Sequence, residues 1–258
     1  RVVLNLNGSL AAVGLYSVAL QCGTVIDTVQ TSVHKAFVPW FFNLMKKREN
    51  ENTKIDIINF SYFLLIIYSV IYLIIGLFSQ EIIMVMTPVQ YIMSWTVIPI
   101  LVLAFSIKSI YYFFVSIMFY YKSASNKIFL ATFTGSISDI LIAYLLVPKW
   151  GMYGAALAFL IAKLIVVSIV IIISKKYDDI YGLAKMLKII LPSWIFMAIG
   201  LYLSYSKFID QFSIINLIYK ITVLLTYFIL VYFSNRKLIN SFINKHKLYT
   251  LFNKIKKV

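Results

Sequence analysis

The residues able to do chemistry in this chain are few, and they stand in apolar surroundings. Asp27, His34, Lys108, Asp139, Lys163 and Lys220 all fall inside long apolar runs. A charged side chain at the centre of a membrane helix costs at least about 2.5–3.5 kcal/mol on insertion scales, so it normally faces protein or a wet cavity. A lysine ammonium in such a place can bind a phosphate as a point charge. Lys108, Lys163 and Lys220 are therefore candidates for holding an anionic cargo. For Lys108 and Lys163 the alternative is an internal ion pair with Asp27 or Asp139. For Lys220, nearer the outer interface, it is snorkelling to the surface.

The acidic residues and the histidine suggest ion coupling. Ser17, Gln21, Thr24, Asp27, Thr28, Thr31 and His34 recur at steps of three and four. On a helix they share one face, which reads as the lining of a cavity or as a face buried among partners. Asp27 could carry a proton or hold Na⁺, and an unperturbed imidazole such as that of His34 titrates near neutral pH. Asp139 shares a side with Thr132, Gly135 and Ser136, and it is the third ion-coupling candidate. Its plain alternative is local helix kinking. Gln21, and Tyr111 and Tyr112 beside Lys108, are candidates for contact with a glycan. Trp40, Tyr120, Tyr121 and Trp150 lie near span ends and read as an interfacial belt.

Seven membrane helices must position these groups, over about 10–44, 57–78, 91–121, 128–147, 151–174, 183–205 and 212–234. Crossing a bilayer takes about 20 mostly apolar residues, and the runs are too long for barrel strands. The expected fold is all-α and polytopic. Of the 258 residues, 62% are hydrophobic and only 13% charged, against about 25% charged in a soluble domain. Residues 235–258 form a basic tail, with Leu248, Leu251, Phe252 and Ile255 at helical spacing among lysines. It reads as an amphipathic anchor on the inner leaflet.

The net charge of +15 would suggest nucleic acid in a soluble protein. Here it follows topology. Alternate loops and the tail hold 17 of the 24 basic residues, and the opposite side holds only Arg1, Lys149 and Lys207. The positive-inside rule then puts the carboxyl end in the cytoplasm. The single cysteine, Cys22, excludes an internal disulfide or a cysteine metal cluster. No Gly-rich phosphate loop with Lys and Ser/Thr occurs, so ATP hydrolysis is not expected.

Three stretches carry a family likeness: VGLYSVALQ (13–21) followed by AFVPWFFNLMKK (36–47), IPILVLAFSIKSIYYFFVSIMFYYK (98–122) and LVPKWGMYGAALAFLIAKL (146–164). Together they resemble the carboxyl half of the bacterial polysaccharide flippases. These are the O-antigen and capsule repeat-unit translocases of the multidrug/oligosaccharidyl-lipid/polysaccharide exporter superfamily. The most specific element is the Pro-Lys-x-Gly-x-x-Gly-Ala-Ala pattern at 148–156. In that family an Asp-Arg pair often precedes the first stretch. Arg1 stands at the corresponding spacing, so the chain is expected to begin inside a longer protein.

The resemblance implies the carboxyl-terminal bundle of a two-bundle transporter in the bacterial inner membrane. The implied cargo is an undecaprenyl-pyrophosphate-linked oligosaccharide, flipped by alternating access. It implies H⁺ or Na⁺ coupling, no other cofactor, and no enzyme activity. Partners would be membrane lipids, a glycan polymerase and a chain-length regulator, with no nucleic acid. A cation-coupled multidrug antiporter is the alternative, but it would favour acidic residues in the cavity. A membrane glycan polymerase or glycosyltransferase would need a larger charged outer loop than this chain has. In 148–156, Pro148 is expected to end a helix. Gly151 with Ala155, and Gly154 with Ala158, are expected to pack helices closely.

Overall fold

The computed structural model of the protein describes residues 2–7, 10–47 and 51–255, without the side chains of 2, 7, 241 and 243–255. All regular structure among them is helical. The chain runs α1 (Val2–Asn7), α2 (Leu10–Met45), α3 (Glu51–Leu77), α4 (Ser79–Met86), a 3-10 helix (Val89–Thr96), α5 (Ile98–Tyr120), α6 (Lys122–Ser125), α7 (Ile128–Lys175), α8 (Leu183–Lys207) and α9 (Ile214–Ile255). Six helices among the described residues are long and apolar enough to cross a membrane.

One of those six folds back on itself. Gly151, with φ 51° and ψ −126°, interrupts α7 in the left-handed region that glycine enters without steric cost. Beyond it the chain returns alongside itself. A Cβ at Gly154 would overlap the carbonyl of Leu146, and one at Gly135 would overlap Val166. Both pairs are centred within about one residue of Gly151, so residues 128–150 and 152–175 are two antiparallel limbs of a hairpin. Counted this way, seven membrane-length segments are present among the described residues.

Two details of the expected boundaries change. The helix runs on through Pro148, and the reversal falls at Gly151. Gly151 therefore turns the chain rather than packing a helix, whereas Gly154, Ala155 and Ala158 are buried. The third span begins at Ile98, not near Tyr91, with Pro99 in its first turn, where the missing N–H has no helical partner to lose. Residues 89–96 form the 3-10 helix instead.

The core centres on α5. Almost every residue from Ile98 to Met118 is buried, and α5 packs against α2, α3 and α7. On one side lie the α7 hairpin and α1; on the other, α3 leads to α8 and α9. The outward surface is apolar, with Phe129, Phe133, Ile140 and Leu141 exposed, as a lipid-facing helix requires. Helix α9 is irregular at Asn235, and beyond it Phe242 stacks on Phe63 at 4.8 Å between ring centroids. The side chains of Lys245, Lys247, Leu248, Leu251, Phe252, Lys254 and Ile255, and all of Lys256 and Lys257, lie outside the described residues.

Candidate functional site

Five of the expected residues surround one cavity. It has a volume of about 390 Å³ and lies between α5 and the two limbs of α7. Lys108, Tyr111 and Tyr112 line it from α5, Thr132, Gly135, Ser136 and Asp139 from the first limb, and Phe159 and Lys163 from the second. Helical spacing explains the lining. Gly135 and Ser136 each stand three or four positions from Thr132 and from Asp139, and Tyr111 and Tyr112 three and four from Lys108, so each set shares a face. The glycine brings the limbs together, and the polar groups beside it face the space that remains.

Asp27 reaches the site from α2. Its Oδ1 accepts a hydrogen bond from Lys108 Nζ at 2.6 Å and another from the Tyr112 hydroxyl at 3.2 Å. Lys108 is 22% exposed in its side chain and Asp27 30%, so the pair is half-buried at the cavity edge. The internal ion pair open to Lys108 is thus formed, with Asp27. The Tyr112 hydroxyl also lies 2.9 Å from Thr31 Oγ1, and its ring lies 4.7 Å from that of His34. Lys163 rests over the Phe159 ring at 4.7 Å. Asp27, Lys108, Asp139 and Lys163 each stand near the midpoint of their helix or limb, so the cavity is deep in the bundle.

The other expected residues lie elsewhere or play a different part. Tyr112 is buried at 9% exposure, and its hydroxyl, bonded to Asp27 and beside Thr31, supports the ion pair at the cavity edge. Tyr111, edge-on to Tyr112 at 5.7 Å, lines the cavity beside it. Gln21 is exposed on α2 and does not line the cavity. His34 Nδ1 is buried without a hydrogen-bond partner.

Lys220 is far from snorkelling. It is fully buried, with Nζ 2.8 Å from Glu81 Oε1 and 2.9 Å from Oε2. Gln80, Asn216 and Ser204 complete a hydrogen-bonded network around it, and Gln80 also donates to the carbonyl of Phe208. This network joins the α3–α4 junction to α8 and the start of α9, and Lys220 takes no part in the cavity. Glu81 was hidden from sequence reasoning because it follows the second span, where a carboxylate reads as a loop residue.

Gln30 is a second residue that sequence reasoning passed over. It is buried at 1% exposure and donates to the Tyr72 hydroxyl and to the Phe105 carbonyl at 3.1 Å, fastening α2 to α3 and α5 just above the ion pair. Its position three residues after Asp27 was the available signal.

Fold and cavity together define a class: a multi-pass, all-helical membrane protein with a charged chamber at mid-helix depth. The chain is similar in fold to a solved structure, the lipid II flippase MurJ in an inward closed conformation. The TM-score is 0.55 at 19% identity, and the match covers 92% of this chain and 52% of that one. The chain thus spans about half the length of that flippase, and the likeness is one of fold. No protein-family model and no curated protein sequence matches the chain.

Proposed function

We propose that this chain is the carboxyl-terminal bundle of a lipid-linked oligosaccharide flippase of the bacterial inner membrane. The cargo is an undecaprenyl-pyrophosphate-linked repeat unit for surface polysaccharide, moved by alternating access against a second bundle. One observation carries the reading: two lysines, Lys108 and Lys163, line one deep cavity in a bundle whose fold is similar to that of a flippase. A pyrophosphate leaving water needs cationic partners, because transferring an unpaired charge into an apolar medium is very costly. In this reading Tyr111 meets the sugar, and Gln21 meets the cargo from the open side of α2. Asp27, His34 and Asp139 couple transport to H⁺ or Na⁺, and the basic tail from Asn235 rests on the cytoplasmic leaflet.

The test is complementation. The full-length protein is expressed in a strain lacking its repeat-unit flippase, and surface glycan is measured. Restored glycan that is lost on Lys108→Glu or Lys163→Glu, with the protein still in the membrane, supports the reading. Glycan unaffected by both reversals rejects it.

A further inference from the structure

The four charges at the cavity cancel. Lys108 and Lys163 bring two positive charges, and Asp27 and Asp139 bring two negative ones. They are not evenly matched in space. Lys108 is held by Asp27 at 2.6 Å, whereas the Lys163 ammonium has no carboxylate within 4.0 Å among the described residues. A diphosphate diester, carrying two negative charges, would enter a chamber of zero net charge whose better-placed cation is already occupied.

We infer that Asp27 is an internal stand-in for the phosphate: it occupies the Lys108 ammonium while the cavity is empty, and a diphosphate diester displaces it. This rests on the reading of the cavity as an anion site given above. The geometry fits an exchange of partners. Lys108 has three N–H donors, and one hydrogen bond to a carboxylate is recorded for it. Asp27 sits on α2 and Lys108 on α5, so exchange breaks the ion pair between those helices. The polar contacts that remain between them are Gln30 on the Phe105 carbonyl and the Tyr112–Thr31 contact, beside apolar packing such as Phe37 on Phe113. The empty cavity is therefore latched, and cargo binding releases the latch. In a low-dielectric chamber like charges repel far more strongly than in water. Removing the Asp27 charge must then favour cargo.

The charged and titratable groups around Asp27 are few. Helix α5 presents Lys108, Tyr111 and Tyr112, and α7 presents Asp139 and Lys163. Helix α3 brings Tyr72 to Gln30, with Tyr68 beside it, and α2 itself brings His34. The 3-10 helix meets α2 at Gly14, through Tyr91, far up the helix.

The test uses the full-length purified protein and an isoprenyl-diphosphate-linked monosaccharide, whose two phosphates stay ionised from mildly acid to mildly alkaline buffer. Asp27→Asn is expected to bind it about tenfold more tightly. Tyr112→Phe, which frees Asp27 from its other hydrogen bond, should give a smaller gain and serves if Asp27→Asn misfolds. Lys108→Gln should abolish binding in either background. Unchanged or weaker binding by Asp27→Asn and Tyr112→Phe, with Lys108→Gln still lost, overturns the exchange but leaves the anion site standing. No binding by any form overturns the anion site as well. An equal gain by Asp27→Asn on phosphatidylglycerol vesicles overturns the assignment to a diphosphate.

Discussion

Gly154 lies against the backbone of Leu146, eight positions earlier in what is formally one helix. A Cβ at Gly154 would come within 2.6 Å of the Leu146 carbonyl carbon. Backbone cannot move aside as the end of a side chain can. Gly154→Ala should therefore open the α7 hairpin near its turn. Forcing extra volume into a packed site costs typically about 1–3 kcal/mol, and a backbone obstacle puts this case at the upper end. The expected outcome is a marked fall in membrane-inserted, protease-resistant protein, read by limited proteolysis of membranes.

Gly135 makes the contrasting case on the same hairpin. The atom in its way is Cγ2 of Val166, with the Ala162 carbonyl oxygen at 3.8 Å. A side-chain obstacle can be removed. Gly135→Ala should lower the thermal midpoint in detergent, and Gly135→Ala with Val166→Ala should recover most of the loss. Full additivity of the two effects would mean that the limbs do not meet there.

These two glycines mark how far the sequence could be read. The long apolar segments were legible from length and composition, since no side chain needs to be placed to count about 20 apolar residues, but their ends were not. The turn at Gly151 was legible as a break but not as a hairpin of contiguous helix, because Pro148 carried the stronger local signal. Tyr91–Thr96 read as helix on hydropathy, and only the position of Pro99 argued otherwise. At the site, the polar face of α2 was legible from its three-and-four spacing. The choice of Asp27 over Asp139 as partner for Lys108 was not, because it depends on where helices distant in sequence cross. Lys220 was misread for the same reason: its depth along α9 is a local property, but its partner Glu81 stands 139 positions away.

The Lys220–Glu81 pair predicts a specific pattern of stabilities. Lys220 is fully buried, while the Glu81 side chain is 15% exposed. Removing one member of a buried pair typically costs about 3–5 kcal/mol, because it strands the other charge. Lys220→Met should thus be strongly destabilising. Lys220→Met with Glu81→Gln removes both charges and should return close to the native thermal midpoint. A double variant as unstable as the single one would show that the hydrogen bonds to Gln80, rather than the charges, hold α9 in place.

The two buried lysines should separate when transport rather than stability is read. Lys163 lines the cavity and rests on an aromatic face, whereas Lys220 is sealed in an ion-paired network outside it. If the cavity carries an anionic cargo, Lys163→Gln should lower surface glycan by about tenfold, the equivalent of roughly 1.4 kcal/mol. Lys163→Arg should retain part of the activity, since the charge stays while the shape of the donor changes. The charge-free double variant Lys220→Met with Glu81→Gln should export glycan at close to the native level once its amount in the membrane is matched. Both measurements use the full-length protein in the complemented strain. Equal loss of export from Lys163→Gln and from the double variant would mean that neither lysine acts on cargo and that both serve only to hold the bundle together.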